Sequence, residues 1–237
     1  MMKNINVLGL PGLTLLATVP AYQSAVAERV WNGISSLDIT INSGVNNARA
    51  IQRDRVIFLD QEYAKAYVVE YVQEVGDKGS ETLKIKATAL EGLLADYITI
   101  PPAGTAYDAR TGTREAVARA WVNANVIAPA DMTRATYPII LGGYGALGEV
   151  ITDQSRYAVL TDELERVLAP EDLGYRLRVD LSAHVLVFEV TAGIDRTEGA
   201  APDNRTVIRR DDDAVDFSAG VSYNVFAGPQ GLRLTEV

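Results

Sequence analysis

Cysteine is absent from the chain and histidine occurs once, at His184. The first absence excludes a disulfide framework, thiolate zinc sites, iron–sulfur clusters and cysteine nucleophiles. The second leaves a Ser-His-Asp relay or a two-histidine metal face only one residue to build on. That residue opens the run Val185-Leu186-Val187-Phe188-Glu189-Val190, which reads as a buried or half-buried strand, so His184 is placed at a strand edge in a structural role. Positive charge is also short: 22 Lys plus Arg stand against 31 Asp plus Glu, a net charge of −9. A grip on nucleic acid needs clustered positive excess, so DNA is expected to pass the protein without sticking. No apolar run reaches the roughly 18 residues of a membrane-crossing helix, and no stable membrane insertion is expected. The stretch from Ile5 to Val19 is split by Pro11-Gly12. With Lys3 ahead of it and Ala25-Val26-Ala27 behind, it admits a signal-peptide reading; two short strands turning at Pro11-Gly12 explain the same letters.

What is present suffices for a core. Of the 237 residues 48% are hydrophobic and 22% charged, which excludes wholesale disorder and suits one large or two small domains. The first hundred residues read mostly as strand. Leu37, Ile39 and Ile41 alternate with polar neighbours, as do Leu83, Ile85 and Ala87, giving each segment one dry and one wet face. Val56 to Leu59 is a short apolar run, and Tyr67 to Val75 is rich in β-branched and aromatic residues. Residues 76–80 make a hairpin connection in which Gly79 can take positive φ, and the whole predicts an antiparallel sheet. A short helix is expected over Glu91 to Tyr97, with Leu90, Leu93 and Leu94 turned to the sheet. Pro101-Pro102-Ala103-Gly104, with a loop continuing to Gly112, marks a domain boundary.

Beyond it, Thr113 is placed to cap a helix reaching about Asn125, with Glu115 in the positive first turn and Val117, Ala120, Trp121 and Ala124 on one dry face. Tyr137 to Leu141 reads as a strand. A second helix starts at Thr161, buries Leu164, Val167 and Leu168, and stops at Pro170. The alternating segment Tyr175 to Leu181 pairs with Val185 to Val190 as a hairpin. Asp195 to Asp213 reads as a long loop, Phe217 to Phe226 as one or two strands, and Gly228-Pro229-Gln230-Gly231 as a turn into Leu232 to Val237.

Three motifs invite chemistry. Gly143-Tyr144-Gly145-Ala146-Leu147-Gly148 fits the letters of a dinucleotide loop after a strand, yet no helix of adequate length begins at Glu149 to receive a pyrophosphate. Asp211-Asp212-Asp213 with Asp216 lacks the spacing and turn glycine of a calcium loop and reads as a solvated charge run. Asn204-Arg205-Thr206 is a glycosylation acceptor only in a secreted chain. No catalytic, cofactor-binding or metal-ligating residue is assigned, no cofactor is implied, and an enzyme is not specified.

In order and spacing the segments resemble the siphovirus tail-tip or baseplate-hub proteins of the ReqiPepy type, related to the hubs of contractile tails. The resemblance is carried by Tyr22-Gln23-Ser24, by Glu28-Arg29-Val30-Trp31-Asn32-Gly33 ahead of the strand through Ile41, and by Asp54-Arg55-Val56-Ile57. It continues through Ala66 to Glu74, Leu83 to Leu94, the Val117 to Asn125 and Thr161 to Leu168 helices, Gly174-Tyr175, and Gly193-Ile194-Asp195-Arg196-Thr197, covering about residues 20–225. It implies a β-rich α+β fold: residues 1–104 with 206–237 forming an antiparallel tail-tube-like β-barrel, and residues 105–205 an inserted β-rich unit carrying two helices. It further implies a noncatalytic virion protein forming a homotrimeric ring at the tail tip. That ring would meet the tail tube and neighbouring tip proteins, convert sixfold to threefold symmetry, and let DNA through its bore. Family members usually extend further, so receptor attachment and wall lysis are not inferred. Two other readings stay open. One is a secreted carbohydrate-active enzyme or binding module with two convergent carboxylates in a groove; the other is a cytoplasmic nucleotide-binding protein using Gly145 and Gly148.

Overall fold

The computed structural model describes residues 4–31, 33–60, 62–76, 81–193, 223–228 and 231–236. The split apolar stretch near the N-terminus folds as two strands, β1 (Ile5–Gly9) and β2 (Leu15–Val19), antiparallel with Ile5 opposite Val19 and the chain reversing at Pro11-Gly12 as expected. Five more strands follow: β3 (Ser24–Glu28), β4 (Ser36–Asn42), β5 (Arg55–Leu59), β6 (Tyr67–Val75) and β7 (Thr82–Ala89). They form one antiparallel sheet in the order β2-β1-β5-β6-β7-β4-β3. The period-2 pattern sets the register. Leu37, Ile39 and Ile41 on β4 face Ala87, Ile85 and Leu83 on β7, and all six are buried.

The sheet cannot be flat. Its edge strands, β2 and β3, are joined by four residues whose chain spans at most about 19 Å, whereas the six inter-strand spacings of a flat sheet in this order would separate them by about 29 Å. The sheet therefore curls, and its concave face encloses a core drawn from Ile5, Val7, Ile39, Ile57, Val69 and Ile85 among others. No ladder joins β2 to β3 among the described residues, so on their own these seven strands form a curled sheet with an open seam and not a closed barrel. One side chain reaches β2 from the far end of β4: Asn47 Nδ2 donates to the Thr18 carbonyl at 3.0 Å.

The convex face, through Leu8, Val56, Phe58 and Val68, packs on the second half of the chain. Leu90–Asp96 is a 3-10 turn, and Leu90, Leu93 and Leu94 are buried as their spacing predicts. The loop expected as far as Gly112 instead becomes strand β8 (Asp108–Thr113). It pairs antiparallel with β10 (Val150–Ser155), which follows β9 (Ile139–Leu141), and the Thr111 and Thr152 hydroxyls meet across the ladder at 2.9 Å. α1 (Arg114–Val122) starts on the expected cap, the Thr113 hydroxyl accepting from Ala116 N at 3.2 Å. Its dry face is Val117, Ala118, Trp121 and Val122; Ala120 and Ala124 are only half-buried. The helix widens into a π turn at Asn123–Ile127. There the buried Asn125 side chain donates to Trp121 O at 2.9 Å and accepts from Ile100 N at 2.8 Å.

α2 (Leu160–Leu168) buries Leu160, Leu164, Val167 and Leu168 against α1. β11 (Leu173–Asp180) and β12 (Val185–Ala192) form the expected hairpin, and β9 adds to β12 in parallel, Ile139 opposite Leu186. One core joins Phe58, Trp121, Leu164 and Phe188, and Met1–Thr191 is one compact unit. Ala192–Val237 is a second; within it β13 (Tyr223–Gly228) and β14 (Gly231–Glu236) pair antiparallel with Gly228 opposite Gly231. The expectations on Lys3, Gly79, the 195–213 loop, Asn204-Arg205-Thr206, Asp211-Asp212-Asp213 and Asp216 lie outside the described residues.

Candidate functional site

The glycine-rich loop after β9 holds an anion, but that anion is the protein's own. Glu115, in the first turn of α1, is fully buried. Its Oε2 accepts from Gly145 N at 3.0 Å and Leu147 N at 2.9 Å, and Oε1 accepts from Gly145 N at 3.1 Å. Arg119, one turn on, lies 3.6 Å from the same carboxylate and donates to Gly142 O and Gly143 O at 2.7 and 2.9 Å. The Tyr144 hydroxyl meets Thr113 Oγ1 at 3.0 Å, so the loop is clasped to α1 at both ends of its first turn. Amides that would face a pyrophosphate in a dinucleotide fold are occupied here, and Gly148, at φ +80°, leads into β10 instead of a helix. The nucleotide reading of Gly145 and Gly148 is thereby corrected. Nothing in the spacing of the loop marks Glu115 as its partner; the Glu115–Arg119 pair one turn apart is the only sequence sign of it.

His184 sits in the turn before β12, exposed, with Nδ1 3.3 Å from the Leu13 carbonyl, as a structural residue would. Most carboxylates near the second half are tied to arginines. Arg166 reaches Asp153 and Glu163, each at 2.7 Å, and Arg176 and Arg178 both hold Glu189, at 2.9 and 2.8 Å. Burial pushes Asp153 and Glu189 up, but bonds to Arg166 in one case and to Arg178 and Arg176 in the other outweigh it and leave both below the usual carboxylate range. Such groups stay ionised and do not serve as acids near neutral pH. Glu91 differs. It accepts from Leu177 N of β11 at 2.9 Å, and burial pushes its carboxyl up to about 7 against those hydrogen bonds and the charge of Arg176. Among the described residues no group of three or more His, Asp or Glu is placed to hold a metal ion.

The open seam leaves the outer edges of β2 and β3 without a strand partner among the described residues. β2 carries no charge, and its Leu15 and Leu16 are 59% and 49% exposed. On β3 the residues read as a cleavage motif, Ala25-Val26-Ala27, lie in register with Ile39, Asp38 and Leu37 of β4. Ala25 and Ala27 turn to the core, while Val26 is 55% exposed. Val30, Trp31 and Ile34 continue this apolar surface beyond the strand, and the Trp31 ring lies over Gly174, where an added Cβ would come within 3.1 Å of it. Apolar edges with little charge are what sheet proteins usually blunt, because unpaired N–H and C=O groups recruit another chain.

Fold and surfaces together define a β-rich α+β protein whose conspicuous features are sheet edges and apolar patches. Residues 10–218 match the Siphovirus ReqiPepy6 Gp37-like protein family, and the chain belongs to it. No curated protein matches the sequence. Among solved structures, the prophage tail protein gp18 from Listeria monocytogenes is similar at 10% identity and a TM-score of 0.49, over 78% of this chain and 50% of that one. A tail protein from Neisseria meningitidis is 16% identical, with a TM-score of 0.46 over 79% and 50%. The 43 kDa tail protein of prophage MuSo2 from Shewanella oneidensis is 11% identical, with a TM-score of 0.48 over 83% and 55%. The chain thus spans about half the length of the tail-protein chains it matches.

Proposed function

We propose that this protein is a noncatalytic structural component of a phage tail, a baseplate hub or tail-tip ring closing the distal end of the tail tube. Membership of the siphovirus Gp37-like family carries the reading, and the curled sheet with its open, largely apolar seam supports it. Three copies form the ring. In each, residues 1–104 with 206–237 build one tube-like barrel unit and residues 105–205 a second, so that six similar units meet a sixfold tube while the ring is threefold. The seam between β2 and β3 is where a neighbouring chain completes the first unit, since closed symmetry leaves no edge unpaired. Tail-tube and tip proteins are its partners, and DNA moves through an acidic bore without specific binding. No helix among the described residues is long and apolar enough to cross a membrane. Light scattering on the purified protein, with imaging of intact virions, tests the proposal. A trimer and a matching ring at the tail tip are expected; a monomer at all concentrations that is missing from virions overturns it.

A further inference from the structure

A polar groove lies where the Pro11 turn, the 3-10 turn ending at Asp96 and the segment before β9 come together. It consists of two cavities, about 460 and 210 Å³, which share Asp96, Thr136 and Tyr137. Tyr97 lines the smaller one. It is 5% exposed, and its hydroxyl has no hydrogen-bond partner, an unusual state for a buried polar group. Burial first, then the nearby Asp96, Tyr97 and Asp54, push the Tyr137 hydroxyl up from its ordinary value. Two phenol oxygens line this space together with the carboxylates of Asp54, Glu70 and Asp96, which outnumber the guanidiniums of Arg53 and Arg134 on the same walls.

The other polar groups there are already engaged or swing free. Glu70 accepts from Thr88 Oγ1 at 2.8 Å, and Arg134 donates to Ile98 O at 3.0 Å. Arg53 is largely exposed and only 3.8 Å from Asp54. Asp96, exposed, makes no hydrogen bond or ion pair among the described residues. Leu10, Pro11 and Leu93 supply an apolar wall to the larger cavity.

We propose that this groove binds an alkylammonium group, its nitrogen between Asp96 and the Tyr97 hydroxyl and its methylene stem along Leu10, Pro11 and Leu93. A neutral hydrogen-bonding ligand would gain nothing from the excess of carboxylates over guanidiniums, whereas an ammonium gains from the unpaired Asp96 and gives the Tyr97 oxygen a donor. The same chemistry is offered by a free aliphatic diamine and by a lysine side chain of a neighbouring protein. The site sits within one chain and is independent of ring formation.

Ligand-observed NMR on the full chain would use 1,5-diaminopentane, Nα-acetyl-lysine N-methylamide, neutral 1,5-pentanediol and cellobiose. At least one amine is expected to bind in the millimolar range, with neither neutral compound binding. Asp96→Asn should weaken that binding about fivefold and Tyr97→Phe should weaken it measurably, while Tyr175→Phe, which removes another buried unpartnered hydroxyl, should not. Binding by the lysine amide alone identifies a protein side chain as the ligand, and tighter binding by the diamine a free amine. Pentanediol or cellobiose binding as well as the amines, no amine binding to the folded protein, or an unchanged Asp96→Asn affinity overturns the proposal.

Discussion

Glu115 shows how much one side chain can organise. Its carboxylate meets two loop amides and faces Arg119 in a site closed to water, so truncation leaves buried donors and a guanidinium without their partner. Glu115→Ala is expected to cost about 3 kcal/mol and Glu115→Gln less, since the amide keeps one acceptor; urea unfolding of both variants checks the order. In the sequence Glu115 reads only as a favourable charge in a helix's first turn, because its partners lie some thirty residues on in a loop whose path no local pattern fixes. Glu91 carries the opposite electrostatics. Its folded carboxyl, raised from 4.5 to about 7, holds a proton that the unfolded chain has released. Its contribution is therefore fully present below about pH 4.5 and is lost as pH rises through 7, by at most about 3 kcal/mol. Wild-type stability should fall across that window, while Glu91→Gln, which still accepts from Leu177 N, should flatten the profile. Parallel profiles for the two proteins would show that Glu91 titrates normally.

Among the elements, those with a strict period were legible. β4 and β7 follow from alternation alone, and α2 from the i, i+3 and i+4 spacing of Leu164, Val167 and Leu168. β8 was not legible, because Asp108-Ala109-Arg110-Thr111-Gly112-Thr113 holds no apolar alternation and becomes a strand only by pairing with β10. The dry face of α1 turned toward Ala118 and Val122 because both the sheet and α2 pack on it, a demand that a single-face pattern does not contain. The cap did follow from sequence, and Thr113→Ala should cost about 1 kcal/mol in thermal or urea unfolding. Of the seam strands, β2 is legible as a strand, but β3 carries the letters of a cleavage motif, and their place at opposite edges depends on pairings between segments far apart in the chain. Val26→Lys puts a charge on the outer face of β3, where it meets solvent in the free subunit. Its effect on subunit stability should be within about 0.5 kcal/mol, while assembly, followed by light scattering, should be lost. An oligomer unchanged by this lysine would remove β3 from the interface.

At the scale of the whole molecule the sign of the charge decides what the protein can hold. With a net charge of −9 and a pI near 4.7, each subunit repels a phosphate backbone, and the proposed ring would multiply that repulsion in its bore. Three arginines of the second half do not offset it, since Arg166, Arg176 and Arg178 are spent on Asp153, Glu163 and Glu189 within the same chain. A net negative charge opposes the counterion release that supplies most nonspecific affinity for DNA, and weak repulsion is what a conduit needs if its cargo is to slide. Gel-shift and fluorescence-anisotropy titrations with duplex DNA should show no complex at 150 mM salt and none when salt is lowered to 50 mM, the direction in which any phosphate contact would strengthen. A complex that tightens steeply as salt falls would mean that a basic surface exists in the assembled ring, and the idea of an acidic bore would have to be abandoned.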